Sequence, residues 1–275
     1  PKVHGFIAFV SLGTGRMGYD YGTITCAGRT NWWYSYDPAE LGKAAKGERS
    51  SAGIPPFAME RVVYPLETRE LTNSAPVTGA CFDPADLEYL RGFISPIAGI
   101  VLPERENSLP GAPRHYRHGV HQGFDLYAWP DGTQVTTSTE VRAVRDGVVI
   151  RADWDYENPS KSQMDEWLAK CRQLGYTPEE ILDHLRGRQV WLDHGDGIVT
   201  RYAHLSAIAE GLEVGQTVSQ GQVIGYVGNS GTPESLYNAD AELHLHFEIR
   251  IGEHYLGQYL SPIETRRWLN RVIRW

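Results

Sequence analysis

The sequence predicts a mainly β protein, an antiparallel sheet or sandwich carrying a helical insertion, with a smaller α+β region ahead of it. Three observations carry that prediction. From Phe93 onward, short alternating runs recur between glycine turns, as in "VRAVRDGVVIRAD", "QVWLDHGDGIVTRYAHLS" and "EVGQTVSQGQVIGYVGNSG". Between the first two lies "ENPSKSQMDEWLAKCRQLGYTPEEILDHLRG", whose apolar positions follow the helical period instead. Residues 1–92 have a different texture, mixing glycine-ended strands with helix starts.

Within residues 1–92, "VHGFIAFVSLG" and "YGTITCAG" read as strands, and "DPADLEYLRG" as a short helix closed by glycine. "TNWWYSYDPAE" is an aromatic cluster leading to a helix start at Asp37-Pro38. Trp32, Trp33, Tyr34 and Tyr36 would suit stacking on sugar rings. Packing in a small core is the better reading, because half of an aromatic strand is buried anyway. No catalytic motif falls here, and the role of the region is left open. The β-domain runs from 93 to 262 with its insertion at about 155–187, and residues 263–275 form an amphipathic helix capped by Ser261. In the insertion, helical periods cover Met164–Leu174 and Pro178–Leu185, with Pro178 at a first turn. The insertion belongs on a rim of the β-domain. Asp146-Gly147 and "HGDG" mark hairpin turns.

At 275 residues and 41% hydrophobic, the chain has material for one large domain or two small ones. Nothing in it approaches the roughly 18 apolar residues of a membrane span. A net charge of −8 argues against a nucleic-acid partner, though not against a polymer recognised through short peptides. Cys26, Cys81 and Cys171 show no metal spacing; a Cys26–Cys81 bridge and two separate buried thiols are both open readings. The chain begins at Pro1 without a basic-then-apolar leader, as expected of a processed or shortened chain.

The chemistry lies in three histidine segments. "ELHLHFEIRIG" alternates, so Leu243, Leu245, Phe247, Ile249 and Ile251 share an apolar face and His244, His246, Glu248 and Arg250 share the other. Two imidazoles then sit ~6.6–6.8 Å apart at Cα, a platform for a metal or for acid–base work. In "HQGFDLYA", His121 and Asp125 are four apart, with Gly123 allowing the segment to bend both onto one ion. In "RYAHLS", His204 ends a strand and shares a face with Tyr202, Thr200 and Ile198. Each segment alone is weak, since H-x-x-x-D arises by chance and a strand-end histidine is usually structural. Together, in order within one β-domain, they point to a site.

In this arrangement the chain resembles the M23 family of zinc metallopeptidases, the lysostaphin-like or LytM-type enzymes. The family pattern is H-x-x-x-D, then Y-x-H-L, then H-x-H-F-E, matched by His121–Asp125, Tyr202–Leu205 and His244–Glu248. The resemblance spans about Phe93 to Pro262 and implies that His121, Asp125 and His246 ligate one Zn2+ while His204 and His244 stay off the metal as catalytic residues. The spacing of an H-x-H pair does not by itself decide which member ligates. Three ligands would leave a fourth position for water, as a catalytic site requires. The implied reaction is hydrolysis of peptide bonds in peptidoglycan stem peptides or cross-bridges, by an extracellular or envelope protein. The chain departs from the pattern at Glu242-Leu243, where Gly-Pro is usual, in the longer loop "GNSGTPESLYNADAE", and in the insertion.

Rival readings are a non-catalytic cell-wall binding or amidase-activating module of the same family, and a zinc hydrolase of another amide or ester. The first predicts broken motifs, and all five positions are intact. A biotinyl or lipoyl carrier is excluded, because no lysine follows Lys170 to serve as the attachment site. There is also no H-E-x-x-H helix, so no glutamate base of that kind.

Overall fold

The computed structural model describes residues 90–251, 254–258 and 262–275, together with the backbone of 21–26 and 29–34. Strands β1 (Tyr21–Cys26) and β2 (Arg29–Tyr34) pair antiparallel, so Trp32 and Trp33 lie on a strand. The other expectations for the N-terminal region, Cys81 included, fall outside the described residues. Before the insertion come β3 (Phe93–Ile94), β4 (Pro113–Arg114), β5 (Gly119–Val120), β6 (Phe124–Leu126), β7 (Glu140–Arg142) and β8 (Gly147–Ala152). The insertion holds α1 (Lys161–Leu174) and α2 (Glu179–Leu185). After it follow β9 (Val190–Asp193), β10 (Ile198–Ala203), β11 (Ala207–Ile208), β12 (Thr217–Val218), β13 (Val223–Tyr226) and β14 (Leu245–Ile251). The chain closes with β15 (His254–Tyr255), α3 (Pro262–Val272) and β16 (Ile273–Arg274).

The domain is mainly β, with antiparallel sheets. The larger sheet runs β12-β8-β9-β10-β14-β15, and β6 shares the edge of β14 with β15. A second sheet runs β11-β13-β7. The apolar face expected of β14 is realised: Leu245, Phe247 and Ile249 are buried with Leu192 and Tyr202 of the large sheet and Val141, Ile208 and Ile224 of the small one. The "HGDG" hairpin is the β9–β10 pair. The hairpin expected around Asp146-Gly147 does not form. The backbone of Ala143 and Val144 is already bonded to residues 221–222 and to Ile94, so the turn passes the chain from one sheet to the other. The C-terminal helix likewise stops at Val272, and the chain then pairs as β16 with β3 in parallel.

Both inserted helices form where the helical period places them. Ser160 and Gln163 build a reciprocal capping box on α1, and α2 starts at Glu179, with Pro178 as its N-cap. Met164, Cys171, Ile181 and Leu185 give the pair its own small core, closed by Leu236 from the loop before β14. Cys171 is a free, buried thiol in that core.

Two contacts tie this architecture together. The Tyr202 hydroxyl accepts the Val144 backbone N–H at 3.0 Å, linking β10 to the crossover between sheets. Gly123 lies against β14 so closely that a Cβ there would stand 2.3 Å from the Phe247 carbonyl oxygen. Close approach, rather than bending, is why this position is glycine.

Tyr202→Phe leaves a buried amide without its acceptor and should cost about 1–3 kcal/mol in urea unfolding. Gly123→Ala forces β6 and β14 apart and should cost about 1–3 kcal/mol in the same measurement.

Candidate metal centre

Strand pairing assembles the site. His246 stands opposite Asp125 of β6 on one side and Ala203 of β10 on the other. His121 follows β5 directly. His121 Nε2, Asp125 Oδ1 and His246 Nδ1 then form a near-equilateral triangle with edges of 2.8, 2.9 and 2.9 Å. Among the described residues these three are the cluster able to hold a metal ion, and all are buried.

His204 reaches the site by a route that alternation does not foresee. Tyr202, Thr200 and Ile198 face the core, so a continued strand would send His204 there too. Instead β10 ends at Ala203, and His204 takes a left-handed backbone with φ 61° that turns its ring to the opposite face. The ring centroids of His204 lie 4.8 Å from His244 and 5.6 Å from His246. The His244 ring is stacked on Tyr127 at 4.5 Å, and its Nε2 is 3.9 Å from Asp125 Oδ1. All five candidate residues from three distant segments are therefore brought together.

Hydrogen-bond partners fix which ring nitrogen carries a proton. His121 Nδ1 donates to the Leu109 carbonyl at 3.0 Å, and His246 Nε2 donates to Glu248 Oε1 at 3.0 Å. In neutral rings, the nitrogens left bare are the two that face Asp125 Oδ1. Burial pushes the His121 pKa down to about 3, so that ring is neutral. Burial disfavours a charged His246 as well, but Asp125 and Glu248 outweigh it and raise its pKa. A proton on His246 still leaves the His121–Asp125 edge as lone pair against lone pair. A divalent cation relieves all three edges, and two imidazoles with one carboxylate suit zinc. The donor set fits the ion that the sequence implies.

The two remaining histidines are fixed in the same way. His204 Nδ1 donates to the Ser230 carbonyl at 2.8 Å, and His244 Nδ1 donates to the Glu242 carbonyl at 2.7 Å. Each therefore leaves Nε2 as the bare nitrogen. Burial keeps both pKa values low, helped for His204 by the neighbouring His244 and His246. Glu242, where the resembling pattern has glycine, adopts φ 52°. The left-handed backbone explains glycine at that position and delivers the carbonyl that His244 needs.

Several supporting residues carry no signal in the sequence. Arg114 Nη2 donates to Asp125 Oδ2 at 2.9 Å, leaving Oδ1 for the triangle. Glu248 lies in the third motif, and Arg186, which no motif marks, donates from Nε to its Oε1 at 2.8 Å. Ser230 and Tyr127 are likewise reached only through the fold. A carboxylate partner on a ligating imidazole is the usual outer support of a metal site.

Residues 173–258 match Peptidase family M23. In sequence, the chain is 34% identical over 148 residues to the DD-carboxypeptidase/endopeptidase Mpg of Neisseria meningitidis serogroup B, covering 53% of this chain and 23% of that protein. It is 31% identical over 134 residues to the cell division protein DipM of Caulobacter vibrioides, covering 48% of this chain and 19% of that protein. It is also 41% identical over 68 residues to the stage II sporulation protein Q of Bacillus subtilis, covering 25% of this chain and 22% of that protein. The chain thus spans less than a quarter of the length of these relatives. The match over residues 173–258 and the three ordered motifs of the same β-domain support an M23-type peptidase domain.

Proposed function

We propose that residues 93–262 form a zinc-dependent endopeptidase that hydrolyses peptide bonds in peptidoglycan stem peptides or cross-bridges. The observation that carries this reading is the convergence of three bare ligand atoms, His121 Nε2, Asp125 Oδ1 and His246 Nδ1, beside two further imidazoles that are not part of the triangle. Bound there, Zn2+ supplies Lewis-acid polarisation of a carbonyl and lowers the pKa of water from 15.7 to about 7.

The chain's own residues supply the rest. His204 and His244 are neutral and present bare Nε2 atoms, so either ring accepts the proton of an attacking water. Once protonated, the same Nε2–H donates to the oxyanion of the tetrahedral species and then to the departing amine. Carbonyl partners on both Nδ1 atoms hold the rings in the tautomer that this cycle needs. Arg114 keeps Asp125 from turning its second oxygen inward. A peptidoglycan substrate places the protein outside the cytoplasm, at the envelope or beyond it.

His204→Ala and His244→Ala should each lower hydrolysis by about 10²–10⁴-fold while zinc content measured by atomic absorption stays at one equivalent. Full activity of either variant removes that histidine from the mechanism. His121→Ala, or chelation of the wild type, should abolish both zinc and activity. On purified peptidoglycan, mass spectrometry of released fragments should find new amino termini within peptides. Sugar–peptide separation would instead mark an amidase, and no release from zinc-loaded protein would mark a binding module.

A further inference from the structure

The inserted helices lie outside the three motifs, yet the turn that ends them touches both halves of the site. We propose that Arg186, at the end of the insertion, is a positioning residue for the metal ligands, acting through Glu248 on His246 and through Gln122 on the His121 segment. This inference rests on the metal reading of the site.

Arg186 is buried at 2% exposure and serves three acceptors at once. Its Nε donates to Glu248 Oε1 at 2.8 Å, its Nη1 to Glu179 Oε1 of α2 at 2.8 Å, and its Nη2 to Gln122 Oε1 at 2.9 Å. Glu248 Oε1 in turn accepts from His246 Nε2, and Gln122 adjoins His121 in the chain. One guanidinium therefore bridges β14 and the segment between β5 and β6 that carries His121. The Glu248 side chain is 0% exposed, and the Arg186 guanidinium lies against it at 2.8 Å. Glu248 in turn holds the His246 ring with Nε2 toward the carboxylate and Nδ1 toward Asp125 Oδ1.

The same turn supports His204. The Arg186 carbonyl accepts the His204 backbone N–H at 2.8 Å, where the chain holds its left-handed conformation. The Arg188 N–H donates to Ser230 Oγ at 2.9 Å, steadying the residue whose carbonyl orients the His204 ring. Asn158, ahead of α1, accepts the Gly231 N–H at 3.0 Å, and Leu236 closes the helical core. The insertion and the long loop before β14 thus pack as a single support behind the site.

Zinc affinity, read by competition with a chromophoric chelator, separates positioning from packing. Arg186→Lys keeps the charge, but one ammonium cannot hold Glu248, Glu179 and Gln122 together. It should lose about tenfold in zinc affinity with a urea midpoint close to wild type. Arg186→Met combined with Glu248→Gln removes both buried charges and should lose about 10–100-fold. Wild-type zinc affinity in Arg186→Lys overturns the proposal whatever the double variant does, and so does a variant that loses stability alone. A wild-type protein that takes up no zinc overturns the metal reading and this inference with it.

Discussion

The pairing of β14 on both of its edges is the constraint on which the site depends. One register sets His246 opposite Asp125, and the other sets it opposite Ala203, one residue before His204. Side chains on a strand alternate, so a slip of one residue on either edge would exchange the site face for the core face. The apolar face of β14 forbids that slip, because Leu245, Phe247 and Ile249 would all be forced out of the core. The chemistry of the site is thereby held in place by burial that has no chemical role.

Such a register brings several lone pairs into a dry space, an arrangement that costs free energy until something positive occupies it. The chain reduces that cost from outside the triangle. Leu109, Glu248 and Arg114 each bind the far side of one ligand. Removing one member of a buried charged pair typically costs about 3–5 kcal/mol, because the other is left uncompensated. Arg186 and Glu248 belong to a wider charged group, with Glu179 on the arginine and Arg201 and Arg250 on the glutamate, so that cost is shared.

Period-two alternation made β14 legible in the sequence, and the "HGDG" turn made β9 and β10 legible, because both signals are local. The inserted helices were legible for the same reason. The Asp146-Gly147 turn misled, since a turn signal fixes where the chain reverses but not which strand it then joins. That choice was decided by residues 221–222 and Ile94, far away in the chain. His121, Asp125, His204, His244 and His246, which the fold brings together, were legible through their motifs, although alternation alone would have sent His204 into the core. Arg114, Tyr127, Arg186 and Ser230 could not be found that way. Their partners are 11 to 62 residues distant, or are met only through ring stacking, and no spacing rule links them.

Two left-handed residues show how far orientation governs this centre. His204 and Glu242 hold a conformation that costs an L-residue roughly 1–2 kcal/mol. In exchange, one turns its ring away from the core, and the other turns a carbonyl toward His244 Nδ1. All four imidazoles then have one nitrogen hydrogen-bonded outward and the other bare toward a common centre. A site that needed only nitrogen atoms in proximity would not require this. A site in which two nitrogens bind a cation while two others exchange protons does, because a ring in the wrong tautomer would offer a proton where a lone pair is wanted. The left-handed backbone and the carbonyl partners are what set those tautomers.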